Sequence, residues 1–136
     1  MPRVGEAPPS RLHVMAVGFV DVGLLAAVLA WGLQIHLVDP IEMAVHATLV
    51  ATPFLGSWLV IATIVGAYQG AALTQFRWGI PLVLVAWLGA SLAGAAIRST
   101  SLIPGQSPLI FVGVVFGVGA VILLPWRALV CLTSRA

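Results

Sequence analysis

Residues 12–37 read LHVMAVGFVDVGLLAAVLAWGLQIHL, an unbroken apolar run with one charge, Asp21. A helix that crosses a bilayer needs about 20 predominantly apolar residues, and this run exceeds that length. Its apolar residues follow one another without the alternation of a membrane barrel strand. Backbone N–H and C=O groups find no water in hydrocarbon, so such a segment satisfies them as a helix. Arg3 and Arg11 ahead of it look like the charged start of a secretory leader, but leader cores run to roughly 7–15 residues. The stretch therefore reads as a retained first span. Pro8-Pro9 marks a short loose tail, residues 1–11, before it.

Three further segments carry the same signature. Asp39-Pro40 ends the first span and starts a turn. Residues 42–68 form the second, with Pro53 near its middle, and residues 78–101 form the third. Ser99-Thr100-Ser101, Pro104-Gly105 and Pro108 mark a loop before the fourth, residues 108–131, and residues 132–136 are a tail. Short links make sequential helices antiparallel neighbours. The expected fold is all-α: a polytopic membrane protein built as an antiparallel bundle of four transmembrane helices. Composition agrees, with 61% apolar and 7% charged residues against ~25% charged in soluble domains. In water such a surface would aggregate; the lipid bilayer is the partner that tolerates it.

The six cations are all Arg, and they form neither a nucleic-acid-binding cluster nor a polybasic run for anionic lipid. One cysteine, Cys131, leaves no internal disulfide and no multi-cysteine metal site. With four spans, Arg3, Arg11, Arg77, Arg127 and Arg135 fall on one side, and Arg98 falls on the other beside Asp39 and Glu42. The positive-inside rule then places both termini in the cytoplasm, with Trp78 and Trp126 at the inner boundary. Gly113 and Gly117 form a GxxxG, Gly66 and Gly70 another, and Ala86, Ala90 and Gly94 a small-residue stripe. Such stripes bring helix backbones close in lipid. Internal packing is the plainer reading and a dimer interface the other.

Asp21 is the most informative single residue. It lies about nine residues inside its span, so roughly 13 Å deep at 1.5 Å per residue. A carboxylate there costs several kcal/mol unless paired, protonated or wetted. Its helix face carries Gly18, Leu25 and Gly32. Arg98, on the third-span face with Trp87, Ser91 and Gly94, is the expected partner. That pair reads first as a structural ion pair fixing helix register, and second as a titrating site on a substrate or proton route.

His36, Asp39, Glu42 and His46 gather in the first hairpin. Histidine with carboxylate suits a divalent metal, but the spacing is no zinc signature, so plain interfacial polar residues are expected and no metal. His13 reads as a surface residue. Pro53 removes a backbone hydrogen bond and kinks its helix, with Thr48, Thr52 and Ser57 near enough to satisfy freed carbonyls. There is no glycine-rich phosphate loop, no HExxH and no GxSxG, so neither an enzyme nor a cofactor is expected.

Asp21 followed by Gly32 and His36, then Pro53-Phe54-Leu55 and Trp58, then Trp87, Gly94 and Arg98, then Phe111-Val112 and Trp126-Arg127 together resemble the domain-of-unknown-function family 3054, small prokaryotic membrane proteins. The resemblance covers about residues 21–127. Leu33 stands where that family often has an Arg after the first-span glycine, and Ser57-Trp58 where it has Gly-Trp. The resemblance implies a bacterial or archaeal inner membrane and four helices, and no activity. It also singles out Asp21, His36, Trp87, Arg98 and Arg127 as polar or aromatic residues with roles beyond packing.

Taken together, the residues lead to a non-enzymatic membrane protein of structural or accessory type, working with a membrane-complex partner or as a homodimer. The alternative is a small homodimeric proton-coupled exporter using Asp21, a likeness of architecture alone. A lipid or quinone enzyme built on the hairpin His and acid residues is the third and weakest reading.

Overall fold

A computed structural model describes residues 8–34, 39–99 and 109–134. Within them the chain is helical and contains no strand. Helix α1 spans Arg11–Gln34, α2 Pro40–Val65, α3 Gly70–Thr74, α4 Phe76–Arg98 and α5 Leu109–Thr133. Four of these, all but α3, are long and apolar enough to cross a membrane. Large apolar side chains stand outward on them: Phe19 is 82% exposed, Ile64 77% and Ile110 83%. His36 and the loop residues 100–108 lie outside the described residues.

Local chemistry sets the helix ends. Ser10 accepts the His13 N–H through its hydroxyl, capping α1. Asp39 caps α2 by accepting the Ile41 N–H, and Pro40 occupies the first helical position, where its missing N–H does no harm. The second span ends earlier than its hydropathy indicates. Gly66 adopts a left-handed conformation, φ 83°, and its N–H returns to Ala62 and Thr63, the usual glycine stop of a helix. Residues 66–68, read from sequence as the end of the second span, turn instead, and the short helix α3 forms in the link that follows. Gly66 and Gly70 are thus a cap and a helix start and do not form a packing stripe.

α4 packs on α2 and α5, α1 packs on α2 and α5, and α3 fills between α4 and α5. The α2–α4–α5 contacts are knobs set in glycine notches. A side chain on Gly94 would collide with the Phe54 ring, and one on Gly119 with the Trp87 indole, both under 3.0 Å. Trp87 also donates its Nε1 to the Phe116 carbonyl at 3.1 Å, and its ring meets Trp58 edge-on with centroids 6.1 Å apart. Ala86, Ala90 and Gly94 are buried as an internal stripe. Gly113 and Gly117 behave differently: both point outward with nothing within 4 Å, so α5 makes its close approach at Gly119.

Pro53, Pro81 and Pro125 lie inside α2, α4 and α5. The Thr48 and Thr52 hydroxyls donate to the Ala44 and Thr48 carbonyls. They therefore do not bond the carbonyl four residues before Pro53, which the proline frees.

A closed polar centre around Asp21

On α1 the buried positions are Val17, Asp21, Leu25 and Leu29, one residue per turn on a single stripe. Asp21 is 0% exposed. Its Oδ2 accepts Arg127 Nη2 at 2.6 Å and the Tyr68 hydroxyl at 2.7 Å, and its Oδ1 accepts Trp126 Nε1 at 2.9 Å. One carboxylate thus collects three donors from two other parts of the chain, the link after α2 and the helix α5.

The donors are themselves held. Arg127, also 0% exposed, donates Nη1 to the Ala67 carbonyl at 2.8 Å, so the turn after α2 is tied to α5. Its guanidinium lies 4.9 Å from the centre of the Tyr68 ring, a cation–π contact. Trp58 donates Nε1 to the Tyr68 hydroxyl at 3.1 Å. That leaves Tyr68 free to give its own proton to Asp21. Burial, with the Asp21 carboxylate beside it, pushes the Tyr68 phenol above its ordinary range, so it stays a donor. Gly18, one turn before Asp21, keeps its face slim, and a side chain there would touch the Tyr68 ring at 3.8 Å.

The expected Asp21–Arg98 pair is replaced by Asp21–Arg127. Depth along the helices is the reason. His13 Nε2 lies 3.3 Å from Ser134 Oγ, so the start of α1 and the end of α5 share one end of the molecule. From that contact Asp21 is eight residues along α1 and Arg127 seven residues back along α5, about 12 and 10 Å at 1.5 Å per residue, so the two stand at nearly the same depth. Arg98 is the last residue of α4, at the opposite end, where its buried guanidinium sits 5.5 Å from the centre of the Phe111 ring.

Trp126, expected as a boundary anchor, turns its indole N–H inward to Asp21. Trp78 is exposed and stacked by Arg77 at 5.8 Å. Sequence reading missed Tyr68, Trp58 and Trp126 as partners. A tyrosine just after a glycine stop and an indole next to an arginine were the available signals. Among the described residues of the first hairpin, Asp39 is the α2 cap and His46 Nδ1 lies 3.2 Å from the Glu42 carbonyl. Among the described residues no group of three His, Cys, Asp or Glu side chains is placed to hold a metal ion.

The family model for "Protein of unknown function (DUF3054)" matches residues 18–130, which include every member of this centre. The chain belongs to the DUF3054 family. No curated protein and no solved structure matches it. For this DUF3054 chain the match covers all four long helices at least in part, and it brings no assigned chemistry. What the centre does is therefore read from its geometry.

Proposed function

We propose that this DUF3054 chain is an integral membrane protein of structural or accessory type, non-enzymatic, with Asp21–Arg127 as the lock of an antiparallel four-helix bundle. The observation that carries the reading is the saturation of Asp21. Both oxygens are engaged by donors of the same chain, at zero exposure. A transport carboxylate has to meet water and substrate in turn. One held by an arginine, a phenol and an indole has no place for a cationic guest unless the helices part. Desolvation offsets much of the attraction in a buried ion pair, and the best-attested use of such pairs is to fix register.

The apolar outward residues of the four long helices support insertion in a bilayer. Arg127 leaves the charge count, being neutralised inside, yet Arg3, Arg11, Arg77 and Arg135 still outweigh Arg98. This supports both termini in the cytoplasm of a prokaryotic inner membrane.

The test is reconstitution in proteoliposomes with a pH dye inside, challenged with a lipophilic cation such as ethidium. A structural or accessory protein gives no cation-driven proton movement, and on native gels from its own membranes it migrates with a larger assembly. Proton movement abolished by Asp21→Asn in a folded variant would overturn the reading in favour of a proton-coupled exporter.

A further inference from the structure

Resting on the membrane-spanning reading, we infer that α1 is a latched helix: a unit that opens by itself, held by the donors to Asp21, while α2, α4 and α5 stay assembled. Lipid chains are as apolar as leucine, so helices in a bilayer are held by close packing and polar bonds and gain little from hydrophobic burial. The two kinds of hold are unevenly distributed here.

Close packing is concentrated among α2, α4 and α5. Phe54 of α2 fills the Gly94 notch of α4, and Trp87 of α4 fills the Gly119 notch of α5. Trp87 also bonds the α5 backbone. α1 takes part in none of these. It reaches α2 and α5 but not α4 among the described residues. Its two described glycines make no tight notch: Gly18 has only the Tyr68 ring at 3.8 Å, and Gly23 has nothing within 4 Å. α1 contributes Leu25 and Leu29, with Val22 against them, to the shared core and Val17 to a smaller cluster with Leu73 and Val130; its side-chain hydrogen bonds to other parts of the chain are the three at Asp21 together with the His13–Ser134 contact. Proteins open locally in cooperative units of unequal stability, and a helix without tight notches whose polar bonds concentrate at one residue is the unit to open first when that residue is disabled. Opening would uncover Tyr68, Trp126 and Arg127 laterally. The latch is thus a device that couples the state of one carboxylate to access to the α2–α5 seam.

The test uses the full chain in nanodiscs with spin-label pairs at lipid-facing positions, in a Cys131→Ala background. One pair, Phe19→Cys with Val85→Cys, reports α1 against α4; the other, Val85→Cys with Val121→Cys, reports α4 against α5. All three positions are exposed, so labels there disturb no packing. Asp21→Asn is expected to widen the α1–α4 distance distribution at least about twofold and to leave the α4–α5 distribution unchanged. Trp126→Phe, which keeps the ion pair and removes one donor, should widen the first pair less. If both pairs widen together in Trp126→Phe, or if α1–α4 stays sharp in Asp21→Asn, the helices form one cooperative unit and the latch is wrong. Failure to enter nanodiscs at all would strike the membrane reading and would show before any distance was measured.

Discussion

Arg127→Leu leaves Asp21 as a carboxylate at zero exposure with its Tyr68 and Trp126 donors but no counter-charge. Breaking one side of a buried ion pair costs about 3–5 kcal/mol. The Ala67 carbonyl loses its Arg127 bond as well, adding about 1 kcal/mol. A detergent-denatured chain finds partners of its own, which brings the expected loss toward the lower end, about 3 kcal/mol. Adding Asp21→Asn removes the stranded charge while keeping an oxygen for one of the two remaining donors. The double variant should then be less destabilised than Arg127→Leu alone, recovering about 1–3 kcal/mol of coupling. The measurement is reversible unfolding in mixed micelles of dodecyl maltoside and dodecyl sulfate, followed by tryptophan emission. Trp58 and Trp126 both lie in the network and report it directly. Simple additivity of the two losses would refute the claim that these residues hold one another. The same cycle run with Asp21→Asn and Arg98→Gln should be additive within about 0.5 kcal/mol.

Tyr68→Phe removes a donor from Asp21 and the acceptor of the Trp58 N–H, and should cost about 1–3 kcal/mol with a shift in Trp58 emission. Gly119→Val should disrupt the fold, since its side chain would collide with the Trp87 indole; Gly117→Val, two residues earlier and facing open space, should be tolerated. Thermal-shift midpoints of the two variants check this, and equal losses would contradict the notch. A reporter fused after Ala136 should read cytoplasmic, and a periplasmic reading would reverse the orientation.

Local chemistry was legible from residue order. The four long apolar segments, the break at Asp39-Pro40 and the internal stripe of Ala86, Ala90 and Gly94 all follow from length, turn chemistry or spacing, although Asp39-Pro40, read as a turn, is the cap and first residue of α2. The need of Asp21 for a partner was legible too, because the cost of a bare carboxylate in hydrocarbon belongs to the residue itself. Its partner was not. Arg127 sits in the run that counts toward the charge of one side, and only the relative depth of α1 and α5 places it opposite Asp21.

The sequence by itself determined that four apolar helices form and that one of them carries an acid that must be neutralised. Those facts depend on the hydropathy and hydrogen-bonding needs of single segments. Tertiary structure alone decided that Arg127, Tyr68 and Trp126 meet that acid, that Trp87 seats on Gly119, and that Gly113 and Gly117 face outward. Helix rotation and relative depth fix such contacts, and a string of residues specifies neither: the same stripe of small residues faces a neighbour or open space depending on a turn of the helix about its own axis.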